Sequence, residues 1–226
     1  MNLSNCSTCL LKSKAASNLL DNELIIQDQS CVHGGFKKGE TIFKQNALSS
    51  NIIYIQTGLV KLMIDGPRAT QILRLKKAPC YLGLPTTMGD KINHYSAIAL
   101  ESTQACFIDI NVFKGLLRTN PDFSYQIIVE LCKNELNQFD RCVNLVQKQI
   151  FGRLATHLLY LSDEIFKSND FNMPLTRNEI AQLASTSRET VSRLLNALAR
   201  EKIIQINGKK ARILNKPMLV KISEKG

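Results

Sequence analysis

Charged and polar side chains share one face of a predicted helix whose two faces are read from residues 188–198. Arginine can donate two hydrogen bonds to one guanine, and glutamate can accept a hydrogen bond from the amino group of cytosine. These residue types are therefore suited to contact with base edges. The face consists of Arg188, Glu189, Ser192, Arg193 and Asn196. The opposite face is an apolar stripe at i, i+3, i+4 and i+7, which predicts burial of Val191, Leu194, Leu195 and Leu198.

The elements around this face predict a helix-turn-helix. Ser187 is a suitable N-cap for the charged helix, and Glu189 places a carboxylate in its first turn, where the helix dipole favours negative charge. A shorter amphipathic helix precedes it, separated by a turn at residues 185–186. The apolar residues of that shorter helix are Ile180, Leu183 and Ala184.

Two β-like runs follow, at residues 203–206 and 211–214. Between them, Asn207 and Gly208 form the dipeptide that best tolerates the positive φ angles of a two-residue hairpin turn. Residues 175–215 therefore have the pattern of a winged helix-turn-helix. The cations beside the predicted tip of the wing are Lys209, Lys210 and Arg212.

The net charge of +10 is concentrated in the same part of the chain. Residues 148–226 contain 14 Lys and Arg residues and 7 Asp and Glu residues, so they carry +7 of the total. Clustered cations suit a phosphate backbone, because their binding releases counterions from the nucleic acid. We therefore expect double-stranded DNA as the partner of this region.

Length and composition exclude several classes of protein. The chain has 226 residues, of which 44% are hydrophobic, so it can bury a full core. It shows no secretory signal and no window apolar enough to span a bilayer, which predicts a cytoplasmic protein without a membrane partner. Seven cysteines in that compartment argue against a disulfide framework. No Ser/His/Asp set, paired carboxylates or phosphate-binding glycine loop is evident, so we do not expect an enzyme.

The N-terminal half has short β-like runs punctuated by glycine. Strands of this length and spacing predict an antiparallel β-roll of the jelly-roll type, with an interior able to hold a small ligand. A turn is predicted at Gly34 and Gly35, just after Cys31. The runs lie at residues 38–43, 52–63, 71–75, 96–100 and 105–110, and flanking helices are predicted at residues 10–20, 21–29 and 112–117.

A long helix is predicted to end at residue 147, because a wide apolar stripe runs along this segment. Part of the stripe should cover the roll and the rest can pair with a second copy, so we predict a homodimer through residues 122–146. A helix at 150–165 and a loop at 166–174 then precede the helix-turn-helix. The fold is therefore α+β, in four parts: a cysteine-containing segment (1–20), a β-roll sensor domain (21–120), a dimerisation helix (121–147) and a winged helix-turn-helix domain (148–226).

This order of elements resembles the Crp/Fnr family of bacterial transcription regulators. The resemblance is most specific in residues 175–180 (LTRNEI) and 187–193 (SRETVSR), and KGE at 38–40 and GLV at 58–60 support it. Ser185 departs from the family, which often places glycine in the turn. The resemblance implies a sequence-specific DNA-binding regulator that binds a palindrome as a dimer, with TTGA or TGTGA-like half-sites.

The resemblance also implies roles for individual residues. Base contacts are implied for Arg188, Glu189 and Arg193, with Ser192 near a thymine. RNA polymerase is an expected partner if the protein is an activator. Phosphate contacts are implied for Thr176, Arg177, Ser187 and Thr190, and we expect the same of Lys209 and Lys210 on the wing.

Family members that bind cyclic AMP carry a Gly-Glu pair and, further along, an Arg-Ser or Arg-Thr pair that holds the cyclic phosphate. Here the corresponding effector pocket contains Gly83, Leu84, Tyr95 and Ser96. No glutamate follows Gly83, and Tyr95 stands where the arginine would be. A buried phosphate without a charged partner is costly, so cyclic AMP is not expected as the effector.

Oxygen-sensing members bind an iron-sulfur cluster through N-terminal cysteines and one cysteine of a β-roll strand. Cys6 and Cys9 resemble the N-terminal pair, and Cys106 resembles the strand cysteine. A third N-terminal cysteine is absent near Ala15, so a four-cysteine set would require Cys31. The alternative is an inert thiol set, with Cys31 and Cys106 packed as small apolar residues. Core positions are expected for Cys80, Cys132 and Cys142.

Two further alternatives stay open. A haem sensor would need an axial imidazole from His33, His94 or His157. A ligand-independent architectural protein would bind DNA without recognising a discrete palindrome. The sequence leaves the identity of the effector open.

Overall fold

The computed structural model describes residues 9–226 of the chain. Its contacts group into two compact units. The first comprises the described residues up to Asp65 together with Arg74–Leu136, and the second comprises Gly66–Leu73 and Asn137–Gly226. Cys6, which the sequence suggests as a metal ligand, lies outside the described residues.

Eight strands form two four-stranded sheets in the N-terminal half. One sheet has the strand order β1-β8-β3-β6 and the other has the order β2-β7-β4-β5. This arrangement confirms the predicted antiparallel roll within an α+β fold. The strands are β1 (Cys31–Phe36), β2 (Thr41–Phe43), β3 (Asn51–Thr57), β4 (Leu59–Asp65), β5 (Thr70–Lys77), β6 (Cys80–Leu82), β7 (Ser96–Ala99) and β8 (Thr103–Asp109).

Gly58 separates β3 from β4 and permits a close approach to β8. Its φ angle is +105°, a conformation that L side chains rarely adopt. A Cβ atom at this position would lie 2.3 Å from Thr103 Oγ1 and 2.8 Å from Thr103 Cα. Glycine is therefore required here by both the backbone conformation and the packing.

The predicted turn at Gly34 and Gly35 is wrong. Both residues lie within β1, which pairs with β8 along its whole length, from Cys31 opposite Ile108 to Phe36 opposite Thr103. Neither glycine has a positive φ angle. Pairing with β8 therefore determines the conformation of this segment, although glycine weakens strand propensity.

Four helices belong wholly or partly to the first unit: α1 (Asp21–Gln29), α2 (Leu84–Met88), α3 (Ile110–Thr119) and α4 (Pro121–Gln147). Buried side chains of α1, α3 and α4 share one core with β3 and β8, including Phe113 and Phe123, whose ring centroids are 5.3 Å apart. The predicted helix at residues 10–20 is reduced to a 3-10 turn at Ala16–Asn18. Buried Ala15 and Ala16 pack this segment into the same core.

Helix α4 confirms the long helix that the apolar stripe predicts. Of its side chains, Phe123 and Ile127 are buried, whereas most of the stripe further along is exposed in the single chain. Cys132 and Cys142 are also exposed, so the prediction that they occupy the core is wrong. The reason is that most of this part of the stripe is not covered by other residues of the single chain. The exposed apolar side chains of α4 are Tyr125, Ile128, Leu131, Leu136, Phe139, Val143 and Val146.

The second unit contains α5 (Ile150–Tyr160), a π-helical turn (Leu161–Phe166), β9 (Asp170–Asn172), α6 (Arg177–Ala184), α7 (Arg188–Arg200), β10 (Ile204–Asn207), β11 (Lys210–Ile213) and α8 (Lys216–Lys225). The strands form one sheet in the order β10-β11-β9. The segment at 166–174, predicted as a loop, thus contributes an edge strand, which was too short to recognise from its pattern. No helix among residues 9–226 is long and apolar enough to cross a membrane.

Candidate nucleic-acid interface and thiol–imidazole cluster

Helix α6 begins with a capping box. The Thr176 hydroxyl accepts a hydrogen bond from the Glu179 backbone N–H at 3.3 Å, and the Glu179 carboxylate accepts one from the Thr176 backbone N–H at 2.7 Å. The same carboxylate accepts a hydrogen bond from the Thr176 hydroxyl at 2.8 Å. These bonds fix the start of the helix, and its predicted apolar residues Ile180, Leu183 and Ala184 are buried.

The turn between the two helices is tight. Ser185 has a φ angle of +55° and ends α6 in the left-handed region, where the family often places glycine. The Thr186 backbone N–H donates to the Ala181 carbonyl at 3.0 Å, which satisfies one of the last carbonyls of the helix. The turn then leads directly into the cap of α7.

Helix α7 presents the charged face that its sequence predicts. Ser187 is the N-cap and accepts a hydrogen bond from the Thr190 backbone N–H at 3.2 Å. The side chains of Arg188, Glu189 and Arg193 are exposed. On the opposite side, Leu194 is only half-buried, whereas the completely buried members of the predicted stripe are Val191, Leu195 and Leu198.

Two side chains on this face are already engaged within the helix. The Ser192 hydroxyl donates to the Arg188 carbonyl at 3.0 Å and keeps its lone pairs as acceptors. The pKa of Glu189 is lowered by hydrogen bonds from its own backbone N–H and from Ser187. Glu189 is therefore an anion at neutral pH, which makes it a hydrogen-bond acceptor only.

Arg177 lies half-buried in the first turn of α6. Burial lowers the pKa of its guanidinium group, which nevertheless stays charged because an arginine pKa starts so high. Its Nη1 atom is buried and has no hydrogen-bond partner among the described residues. An unsatisfied buried donor on a cation is costly, so this atom has a strong requirement for an acceptor.

The wing differs from its prediction in the residues of its turn. Asn207 pairs with Lys210, so the two turn residues are Gly208 and Lys209 rather than Asn207 and Gly208. Only Gly208 has a positive φ angle, +61°, which is the requirement of a type II′ turn. Lys209 and Lys210 are exposed at the tip.

The third wing cation, Arg212, is paired within the sheet. Its Nε atom donates to the Asp170 carboxylate of β9 at 2.9 Å, and Nη2 donates to the same oxygen. This hydrogen bonding from Arg212 is the main reason that the pKa of Asp170 is lowered. Lys210 Nζ lies 3.9 Å from the same carboxylate.

The predicted effector residues are also engaged in internal contacts. The Gly83 backbone N–H donates to the Tyr95 hydroxyl at 3.2 Å, and the Tyr95 ring lies 5.4 Å from the Phe43 ring. Burial raises the pKa of Tyr95. The Ser96 hydroxyl accepts from the Gln45 backbone N–H at 2.9 Å, and Leu84 is buried.

A second group of reactive side chains lies on the sheet that contains β1. Donor atoms of Cys31, His33 and Cys106 all lie within 4.8 Å of one another, and Cys106 Sγ is 3.3 Å from His33 Nδ1. Cys106 is buried, whereas Cys31 and His33 are half-buried. Cys9 does not belong to this group, and its Sγ lies 3.4 Å from Gln56 Nε2.

Both halves of the chain match known domain families. Residues 152–222 match the Crp-like helix-turn-helix domain, and residues 35–120 match the cyclic nucleotide-binding domain. The chain belongs to the Crp/Fnr family. It is accordingly a DNA-binding transcription regulator and not an enzyme.

Individual relatives of this Crp/Fnr regulator are distant. It is 28% identical to the transcriptional activator protein FnrA of Stutzerimonas stutzeri over 185 residues, which cover 79% of this chain and 75% of the relative. It is also 28% identical over 193 residues to the fumarate and nitrate reduction regulatory protein of Vibrio cholerae, covering 83% and 76%. The solved structure of FixK2 from Bradyrhizobium japonicum has the same fold, with a TM-score of 0.77, 18% identity and coverage of 85% and 96%.

The thiols of this Crp/Fnr regulator do not form a four-cysteine set among residues 9–226. Ala15 is buried in the core, and Cys9 lies apart from Cys31 and Cys106. Cys80 is buried, as predicted, and burial raises the pKa of its thiol to about 12, so it stays protonated and inert.

The sequence pattern suggests His33 only as a haem ligand and does not indicate that it neighbours the two cysteines. Gly34 and Gly35 resemble a turn, which conceals strand β1 and its pairing with β8. The other two histidines have different surroundings. His94 is exposed, with Nε2 2.6 Å from an Asp90 carboxylate oxygen, and burial, with a contribution from Arg141, lowers the pKa of His157 to about 3.

Proposed function

We propose that this regulator binds a palindromic DNA site as a homodimer, with α7 of each protomer in the major groove. The observation that carries the proposal is the exposure of Arg188, Glu189 and Arg193 on a helix whose other face is buried in its own unit. In this proposal the arginines donate to guanine, Glu189 accepts from cytosine, and Ser192 lies near a thymine methyl group. The expected half-sites are TTGA or TGTGA-like.

Phosphate contacts around the helix-turn-helix would set the position of α7 in the groove. Arg177 supports this role, because its buried Nη1 atom has no described partner and a phosphate oxygen would supply an acceptor. Lys209 and Lys210 are exposed at the wing tip. The hydroxyls of Thr176, Ser187 and Thr190 hold the helix starts, where backbone N–H groups also favour an anion.

The exposed apolar stripe of α4 supports dimerisation through residues 122–146. Ile128, Cys132, Leu136, Phe139 and Val143 repeat at intervals of three or four residues and are exposed in the single chain. Exposed side chains in such a repeat fit a partner helix with the same repeat. Two-fold pairing would present two α7 helices to two half-sites.

The roll at residues 21–120 is proposed as the sensor domain and residues 148–226 as the DNA-binding domain. Cyclic AMP is not the proposed effector, because Tyr95 stands where the family's arginine would be, and its hydroxyl accepts a hydrogen bond from the Gly83 backbone N–H. A redox or metal sensor is the second candidate, supported by the cluster of Cys31, His33 and Cys106. We place the protein in the cytoplasm, with RNA polymerase as a partner if it is an activator.

The proposal is tested by selecting bound sequences from a random pool of DNA duplexes and then footprinting the selected sites. We expect one palindrome with half-sites one helical turn apart, about 10 base pairs centre to centre. An architectural protein would instead protect DNA without a discrete sequence. That outcome would exclude a site-specific regulator, because the exposed face of α7 would then make no base-specific contact.

A further inference from the structure

The antiparallel register of β1 and β8 brings three metal-binding side chains together. His33 lies directly opposite Cys106 in the ladder, and Cys31 lies two residues before His33 on the same strand. Residues two apart project from the same face of a strand, and directly opposite residues have Cβ atoms about 5 Å apart. The two thiols and the imidazole are therefore on one face of the sheet at neighbouring positions.

The distances among these donors suit a single ion. Two ligands of one tetrahedral zinc ion, a thiolate sulfur and an imidazole nitrogen, lie about 3.5 Å apart, given Zn–S and Zn–N bonds of about 2.3 and 2.0 Å. Cys106 Sγ and His33 Nδ1 lie 3.3 Å apart, and all three donor atoms lie within 4.8 Å of one another. Small side-chain rotations can therefore place one ion at bonding distance from all three.

A four-iron cluster fits the same donors less well. Each cysteine of such a cluster binds its own iron atom, so its ligand sulfurs spread around the cluster instead of converging on one point. The described group also includes an imidazole, a ligand that suits zinc and iron(II) ions. Cys9 lies beside Gln56, outside the group.

We propose that Cys31, His33 and Cys106 bind one divalent ion of the zinc class, Zn²⁺ or Fe²⁺, through two thiolates and one imidazole. The two thiolate charges neutralise the ion, so the half-buried site carries no net charge when it is loaded. Thiols must lose their protons on binding, so loading releases protons and is weaker at low pH. This inference is independent of the proposed DNA contacts.

Among the described residues, no fourth His, Cys, Asp or Glu side chain belongs to the group. The fourth coordination position of the ion therefore has no protein ligand of these types. Three protein ligands with an open position are typical of zinc sites that exchange a small ligand, whereas structural sites are closed by a fourth residue. The ion would also join β1, an edge strand, to β8 in the interior of its sheet. Loading should therefore stabilise the roll.

The experiment uses the full chain, purified without oxygen, stripped with a chelator and titrated separately with Zn²⁺ and Co²⁺. We expect one ion per chain and, with Co²⁺, the intense visible absorption of a tetrahedral thiolate site. His33→Gln and Cys31→Ser should each weaken Zn²⁺ binding at least about tenfold, since even the loss of an outer-sphere partner costs that much. Both positions are half-buried, so these variants should fold, as circular dichroism would verify.

A Cys132→Ser/Cys142→Ser double variant is the matched control, because it removes two exposed thiols from α4 and leaves the group intact. It should bind Zn²⁺ with unchanged affinity and stoichiometry. Metal analysis of the protein as purified distinguishes zinc from iron, and either ion at one per chain supports the proposal. Unchanged Zn²⁺ affinity in His33→Gln, or four irons with sulfide per chain, would overturn it.

Discussion

The backbone N–H of Gly83 donates a hydrogen bond to the Tyr95 hydroxyl at 3.2 Å. The Tyr95 hydroxyl thus occupies the backbone donor of Gly83, in the segment that corresponds to the ligand-binding segment of cyclic AMP-binding family members. We expect isothermal titration calorimetry to detect no micromolar binding of cyclic AMP, because the ligand would have to displace the Tyr95 hydroxyl from Gly83, and tyrosine stands where cyclic AMP-binding family members place the phosphate-binding arginine. A micromolar dissociation constant would contradict this assignment of the pocket.

Arg193→Ala should weaken binding to the selected palindrome by about 1–3 kcal/mol and relax base preference at one position of each half-site. The reason is the loss of one bidentate contact to a base edge. Binding to a panel of singly substituted sites measures both effects. Arg200→Ala, at an exposed arginine near the other end of α7, is the control and should leave base preference unchanged. A specificity profile unaltered by Arg193→Ala would remove this residue from the interface.

Lys209→Ala should weaken binding to all DNA sequences alike. A phosphate contact carries no sequence information, and its loss should reduce the slope of log affinity against log salt by about 1. Affinity measured across salt concentrations, on the palindrome and on random DNA, checks this expectation. Lys221→Ala removes an exposed lysine from α8 and should leave the slope unchanged. Selective loss on the palindrome alone would mean that Lys209 contacts a base.

Phe139→Glu should convert the proposed dimer into monomers, because it places a charge in the apolar repeat of α4. Sedimentation velocity measures the change in mass, and affinity for the palindrome should fall with it. Asn137→Glu introduces the same charge at an exposed residue on the opposite side of the helix and should leave the dimer intact. Dimers that persist in Phe139→Glu would place the interface elsewhere.

Gly58→Ala should destabilise the protein more than Gly39→Ala. Both glycines have positive φ angles, but a Cβ at Gly39 would meet nothing within 4 Å, whereas one at Gly58 would collide with Thr103. We expect a loss of about 1–2 kcal/mol at Gly39 from the backbone conformation alone. At Gly58 the free energy of unfolding should fall by roughly 2–5 kcal/mol, because the cost of overpacking against Thr103 adds to the cost of the backbone conformation. Equal losses in urea denaturation would show that the collision is relieved.

Local patterns predicted the DNA-binding half well. The stripe of α7 was readable because burial of one helix face imposes a period of 3.6, and Ser187 was recognisable as a cap because its hydroxyl suits an unpaired backbone N–H. The turn of the wing was assigned one residue too early. Asn207 and Gly208 both tolerate a positive φ angle, and only the pairing of Asn207 with Lys210 decides which residues form the turn.

The thiol–imidazole cluster could not be predicted in the same way. His33 and Cys106 are 73 residues apart, and only the register of β1 against β8 makes them neighbours. Two glycines in β1 resembled a turn, so the strand that sets this register was missed. Cys132 and Cys142 were expected in the core for a related reason, because a helical stripe does not specify which surface covers it.

The strand β9 precedes α6 in sequence, yet it pairs with β11, which follows α7, through Phe171 opposite Ala211. The two ends of the helix-turn-helix are thus held side by side in one small sheet. The two helices lie between strands that are fixed at both ends, so the exposed side chains of α7 can vary without disturbing the sheet. The exposed residues of α7 should therefore be exchangeable for those of other regulators, provided that its buried face is kept.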